Sequence, residues 1–274
     1  MKFSRYIPLY CLSFVLLCYM AYAVQTVLTS RTGESIMGEL SKPISPETTI
    51  VVFDLHDVVL KRSYPDLIRQ SARTLGRGLF VYLVNPLFWH KTVRFMAQNR
   101  NLEGVFKKLI FYYPGLAKHK DDFYRLYNAY EPIDSTVDFI KKLHAKGYNL
   151  YILSNIGSDI YRSLTVRYPE IFGYFKGVYT PSSSNNYNHK PNLSFYQEFK
   201  KYVQAQGDGD KQGIFIDDIY KNIEAAIASN AYEPHGCCNL VGIHYTSEHS
   251  INQSLKIFDL LNDAIDAEKQ ELKS

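Results

Sequence analysis

Cysteine is scarce in this chain of 274 residues: there are four, and Cys11 and Cys18 fall inside an apolar N-terminal stretch. The other two, Cys237 and Cys238, are adjacent and could close only a strained ring, which excludes a disulfide framework as the source of stability. A zinc site made from this pair with His235 or His244 lacks four-ligand spacing. Excess charge of one sign is missing too. With 31 Lys and Arg against 27 Asp and Glu, the net +4 is too small for the basic footprint of a nucleic-acid binder. There is no internal repeat, and no low-complexity block beyond the polar run Ser182 to Asn186. The fold must therefore rest on an ordinary apolar core, which a chain of this length can build.

Long apolar runs are rare as well, and the exception is N-terminal. The stretch Ile7 to Val24 is apolar apart from Ser13, follows Lys2 and Arg5, and at ~1.5 Å per residue could just cross a bilayer core. Ala21-Tyr22-Ala23 fits the small-x-small pattern of a signal-peptidase site, so residues 1–24 read as a signal peptide or an N-terminal membrane anchor. Because the cations precede the run, the rest of the chain is expected outside the cytoplasm: periplasmic, secreted, or tethered to the membrane. Residues 25–48 are polar and aperiodic and read as a linker.

Beyond the linker, apolar runs alternate with helical patterns. Strands are expected at 49–54, 148–154, 176–180, 213–217 and 239–245, and helices at about 135–146, 158–168, 191–206, 220–230 and 251–271. Such alternation implies an α/β fold with a mainly parallel sheet covered on both faces. Helix 135–146 is typical: Asp134 or Ser135 can cap it, Val137, Ile140 and Leu143 make its stripe, and Gly147 stops it. Residues 61–133 interrupt the alternation without a convincing strand. Ile68, Ala72, Leu75 and Leu79 recur there at helical spacing beside Arg69, Arg73 and Arg77, so this segment reads as an inserted helical cap. Its thirteen Lys and Arg against five Asp and Glu make it +8, a basic lid that suits an anionic substrate and, near a bilayer, anionic lipid. The run Leu79 to Trp89, broken by Pro86, could dip into a membrane, and reads more readily as part of the cap core.

The runs end in chemistry. Ile50-Val-Val-Phe-Asp54-Leu-His56-Asp57 is a β-branched run that stops abruptly in carboxylates, as a buried strand does when it delivers acids to the C-terminal edge of a sheet. That edge is where open α/β sheets bind ligands. Tyr151-Ile-Leu-Ser154-Asn155 ends a strand in a hydroxyl, His189-Lys190-Pro191 leads into a helix, and Gly213-Ile-Phe-Ile-Asp217-Asp218 ends in two acids with Asn222 four residues on.

In order and spacing these four segments resemble the haloacid dehalogenase-like hydrolase superfamily, in its subgroup with a helical cap inserted between the first two motifs. The resemblance spans roughly residues 49–245 and implies a Rossmann-like, doubly wound core formed by 49–60 and 134–274, with 61–133 as the cap. It implies that Asp54 is the nucleophile of a Mg2+-dependent phosphatase acting on a small phosphorylated compound. Ser154 and Asn155 would bind the phosphoryl group, Lys190 would hold Asp54 and the phosphoryl oxygens together, and Asn222 would orient the loop. Asp218, Asp54, Asp217 and the backbone carbonyl of His56 would supply the metal site. His56 stands where the family's phosphatases carry a second Asp, the general acid and base, and an imidazole could take over that proton transfer. The same substitution also suits a catalytically silent binding protein or a hydrolase of another bond.

Overall fold

The computed structural model describes residues 40–63, 66, 69, 80–83, 85–99, 102–232 and 238–246. The apolar segment 1–24, the linker up to residue 39, the stripe Ile68, Ala72, Leu75 and Leu79, Arg73, Arg77, His235, Cys237 and helix 251–271 lie outside these residues. Among the described residues no helix is long and apolar enough to cross a membrane.

A parallel sheet of five strands forms the core, in the order β5-β4-β1-β6-β7. Its members are β1 (Thr49–Phe53), β4 (Asn149–Leu153), β5 (Gly177–Tyr179), β6 (Gln212–Asp217) and β7 (Leu240–His244). All five expected strands are present. Residues alternate between the two faces of a strand, and the apolar runs supply both faces at once. Val51 and Phe53, Leu150 and Ile152, Ile214 and Ile216, and Val241 and Ile243 face one buried cluster. Helices α5 (Asp134–Ala145), α6 (Ser158–Arg167) and α7 (Pro169–Phe172) cover that side with Ile140, Leu143, Leu164 and Ile171. Ile50, Val52, Tyr151, Leu153, Phe215 and Leu240 face a second cluster, under α8 (Leu193–Ala205) and α9 (Tyr220–Ala228). Gly242 lets α9 come close, since a Cβ there would lie 2.1 Å from Ile223 Cγ2.

The order of the strands places the site. Connections from β1 run outward through β4 to β5, then return to the other side of β1 for β6 and β7. The direction of winding therefore reverses at β1, and open α/β sheets bind ligands at the carboxyl end of that reversal.

Between β1 and β4 lies the helical insertion: α1 (Phe80–Leu83), α2 (Pro86–Asn99), α3 (Leu102–Tyr112), a 3-10 turn at Pro114–His119, and α4 (Lys120–Tyr127). Pro86 opens α2, where the missing N–H costs nothing, instead of breaking a helix. Phe88, Leu102, Val105, Leu109 and Phe123 are buried in the same cluster as the first face of the sheet, and the Glu103 N–H donates to Asp159 Oδ2 of α6 at 3.1 Å.

Three details correct the sequence reading. The insertion is bracketed by an antiparallel ribbon, β2 (Leu60–Arg62) with β3 (Tyr130–Pro132), where no strand was expected. Each piece has three residues and no alternating pattern, and its partner lies about seventy residues away, so local periodicity carries no trace of it. Helix α8 starts at Leu193, leaving Pro191 outside its first turn. Residues 189–192 form a turn closed by the Asn192 N–H on the His189 carbonyl at 2.9 Å, with a cis Lys190–Pro191 peptide, and the helix follows it. Helix α5 begins at Asp134 after Ile133, with no side-chain cap; Asp134 faces the positive end of the helix from within its first turn.

Candidate active site

Strand register brings the expected residues to one edge. Phe53 pairs with Ile152 of β4 and Ile216 of β6, so Asp54 follows level with the ends of both neighbours. The Asp54 N–H still donates to the Ile216 carbonyl at 2.8 Å, and its Oδ1 accepts the Leu55 N–H at 2.7 Å. Asp54 is 5% exposed and Asp217 is fully buried.

Lys190 reaches into this edge from the loop before α8. Its Nζ lies 3.0 Å from Asp54 Oδ1 and 2.5 Å from Asp217 Oδ2, and the residue is 2% exposed. Asn155 clamps that loop, with Oδ1 accepting the Lys190 N–H at 2.8 Å and Nδ2 donating to the Lys190 carbonyl at 3.0 Å. Both ends of the Asn155 side-chain amide are thus engaged with the Lys190 backbone. Burial alone would lower the Lys190 pKa, but the Asp217 and Asp54 charges outweigh it and hold the ammonium above its ordinary range.

The two acids at the end of β6 differ in their surroundings. Asp217 is saturated: Asn222 Nδ2 donates to Oδ1 at 2.9 Å and to Oδ2 at 3.1 Å, the Ile219 N–H donates to Oδ1 at 2.8 Å, and Lys190 holds Oδ2. Asn222 is itself buried, and its carbonyl accepts the Tyr196 hydroxyl at 2.7 Å. Asp218 is half-buried, and among the described residues its carboxylate has no hydrogen-bond partner. Burial, reinforced by the Asp54, Asp217 and Asp57 charges, pushes its pKa up to about 7. Asp217 is likewise raised, by burial first, with Lys190 opposing and Asp54 adding to it.

One oxygen from each of Asp54, Asp217 and Asp218 lies within 4.8 Å of the others. Three carboxylates around one ammonium leave a surplus of negative charge in a buried place. A hard divalent cation with oxygen ligands fits that surplus, and Asp218, the least engaged of the three, has the oxygens to spare. Ser154 sits at the end of β4, 1% exposed, its N–H on the Tyr179 carbonyl at 3.2 Å.

His56 stands two residues beyond Asp54, in a tight turn where the Leu55 carbonyl accepts both the Val59 and the Leu60 N–H. Asp57 holds the left-handed corner at φ 58°, a conformation that Asp tolerates better than most residues. His56 Nδ1 lies 3.1 Å from Asp57 Oδ2, and its ring meets the Tyr130 ring edge-on at 5.5 Å. Burial would lower the His56 pKa, but the hydrogen bond and charge of Asp57 outweigh it, and the imidazole is held above 6.5.

Three neighbours escaped the sequence reading. Arg62 on β2 stacks over Tyr130 at 4.5 Å and lies near enough to His56 to oppose its protonation, but the ribbon that carries both was not legible. His244, weighed above only as a zinc ligand, closes β7 with Nε2 3.0 Å from the Asp218 carbonyl. A fifth apolar run ending in a polar residue, Leu240 to His244, was the available signal. Cys238 is buried before the start of β7, at the opposite edge of the sheet from His244, so the two do not converge on a metal.

No curated protein matches the chain. Among solved structures it is similar to a hydrolase from Streptococcus pneumoniae TIGR4, at 18% identity over 77% of this chain and 99% of that one, with a TM-score of 0.45. It is similar to the HAD-hydrolase YfnB from Bacillus subtilis bound to magnesium, at 16% identity over 79% and 99%, TM-score 0.45. A HAD family enzyme from Bacteroides thetaiotaomicron, in complex with magnesium and inorganic phosphate, is similar at 18% identity over 65% and 88%, TM-score 0.42. A family profile described as haloacid dehalogenase-like hydrolase matches residues 48–230, well over half of the sequence. With its parallel sheet and its four motifs brought to one edge, this chain belongs to the haloacid dehalogenase-like hydrolases.

Proposed function

We propose that this protein is an exported or membrane-tethered, Mg2+-dependent phosphatase of a small phosphorylated compound. The observation that carries the reading is the convergence of Asp54, Lys190, Asp217 and Asp218 at the carboxyl end of β1. Mg2+ would be held by Asp54, Asp218 and Asp217 with the backbone carbonyl of His56, and when bound it neutralises charge on the phosphoryl oxygens.

The chain's own groups do the rest. An Asp54 oxygen attacks phosphorus in line with the leaving alkoxide, and the P–O bond to the substrate breaks as the aspartyl-phosphate forms. His56, kept protonated by Asp57, gives its proton to the departing oxygen. It then takes a proton from the water that attacks the aspartyl-phosphate, releasing inorganic phosphate and restoring Asp54. Lys190 offsets the repulsion between Asp54 and the incoming anion, and Ser154 donates to a phosphoryl oxygen without adding charge. The helical insertion serves as the cap that selects the substrate.

A phosphoester panel assayed with the full chain, with and without Mg2+, tests this. Phosphate release that needs Mg2+ and disappears in Asp54→Asn is the expected result; no release from any member contradicts it. The competing reading is a catalytically silent binding protein, favoured by the engagement of His56 Nδ1 with Asp57. Binding of a phosphorylated ligand without turnover, unrestored by His56→Asp, would select that reading.

A further inference from the structure

We propose that the outer face of the α2–α3 pair in the helical insertion is a docking surface for an anionic lipid bilayer. Along α2, Leu87 stands three and four residues before His90 and Lys91, and Arg94 four and three after them, so the four share one side of the helix. Lys108, Phe111 and Tyr112 do the same on α3. Contacts join the two stripes into one face. Lys91 Nζ sits 3.6 Å from the centroid of the Tyr112 ring, Phe95 and Tyr112 stack at 5.9 Å, and Lys108 Nζ lies 5.6 Å from the Phe95 ring. Between them is a pocket of about 250 Å³ lined by Leu87, His90, Lys91, Arg94, Phe95 and Tyr112.

Two properties of this face point to the same occupant. Leu87 is 66% exposed, Phe111 79% and Tyr112 50%, so large apolar groups present half or more of their surface to water. Around them the charge is uncompensated. Helix α2 carries no acid, and the one acid of α3, Glu103, is occupied by Lys107, Lys120 and the Tyr124 hydroxyl. Lys91, Arg94 and Lys108 have no carboxylate partner among the described residues. A nucleic acid would satisfy these cations but leave Leu87 and Phe111 wet. An anionic bilayer satisfies both, because phosphates lie at the level of the snorkelling cations and hydrocarbon lies just beneath them. The apolar stretch Ile7 to Val24 would be a separate membrane signal, and two weak signals hold where one is marginal.

The chain's single tryptophan makes the test direct: Trp89→Phe removes it and Phe111→Trp puts the one indole at a position 79% exposed on the proposed face. The full chain is reconstituted with vesicles whose phosphatidylcholine carries brominated acyl chains, with or without 30 mol% phosphatidylglycerol. Insertion of residues 7–24 contributes nothing to the signal, since that segment has no tryptophan. The expected result is quenching of that indole in the anionic vesicles, weakened by roughly tenfold or more when Lys91→Glu, Arg94→Glu and Lys108→Glu are added, and relieved by ~1 M salt. Leu87→Ser should reduce quenching while the Tm of the protein in solution is unchanged. Equal quenching in both compositions, or quenching that survives the triple charge reversal, overturns the proposal. So would an emission change with single-stranded RNA and none with vesicles.

Discussion

Replacing Lys190 by Met asks how much one ammonium contributes to this fold. Lys190 Nζ is 1% exposed at its side chain and lies between two carboxylates at 3.0 Å and 2.5 Å, so water cannot take its place when it is removed. Methionine preserves most of the volume, which leaves the electrostatic loss as the main change. Breaking a buried ion pair from one side costs about 3–5 kcal/mol, because the surviving charge stays buried without a partner. Here two carboxylates survive, with Asp218 as a third nearby, so the upper half of that range is expected. For a domain of this size that is a fall in Tm of roughly 8–20 °C, at about 2–4 °C per kcal/mol. Urea denaturation and calorimetry at pH 7 in EDTA measure it. Mg2+ should restore part of the loss, because a cation among the three carboxylates replaces some of the missing charge. A loss under about 1 kcal/mol in EDTA would refute the reasoning, since it would mean that solvent already compensates these acids.

Other perturbations test separate parts of the account. Asp218→Asn should stabilise the apo protein at pH 8, because ionising a carboxyl whose folded pKa is near 7 costs stability; the gain should fade as pH falls from about 7 toward 4, and Mg2+ should no longer raise Tm. Gly242→Ala should cost roughly 1–3 kcal/mol by pushing α9 off β7, and Ile223→Ala in the same chain should recover part of it, measured by a double-mutant cycle in urea. Asp208, at the far edge of the sheet, accepts from Lys176, Tyr151, Asn149 and Lys211; burial opposes ionisation there, but these donors outweigh it and hold the pKa at about 2. Its folded value lies below the unfolded one, so the stability it adds, about 2 kcal/mol, is complete above pH ~4 and is lost as pH falls toward 2. The stability gap between wild type and Asp208→Asn should narrow over that window.

The parts of this molecule that were legible in its sequence are those governed by local pattern. Strands such as Ile50 to Phe53 are buried on both faces and therefore read as unbroken apolar runs, and each run's last residue announced what lay at the sheet edge. Asp54, Ser154 and the Asp217–Asp218 pair were placed at that edge in this way, whereas Lys190 stood out through the Lys-Pro that precedes a helix. The ribbon of β2 and β3 was not, because Lys61 and Glu131 become neighbours only after the whole insertion has folded. Arg62 and Tyr130 were missed with it. Asn155 shows a different limit: its side-chain amide holds the Lys190 backbone, a pairing across thirty-five residues that no local pattern encodes. His244 was visible as the end of an apolar run but carried no chemistry until Asp218 was seen beside it.

The central claim is that Asp54 forms a covalent bond to phosphorus. Rapid mixing of the full chain with a 32P-labelled small phosphodonor and Mg2+, acid quenching and peptide mapping measure it directly. The account predicts label on the peptide that contains Asp54, chased by water, absent in Asp54→Asn, and persisting longer when His56→Ala removes the group that activates the water. Label on a peptide lacking Asp54, or phosphate release that continues undiminished in Asp54→Asn, would contradict it.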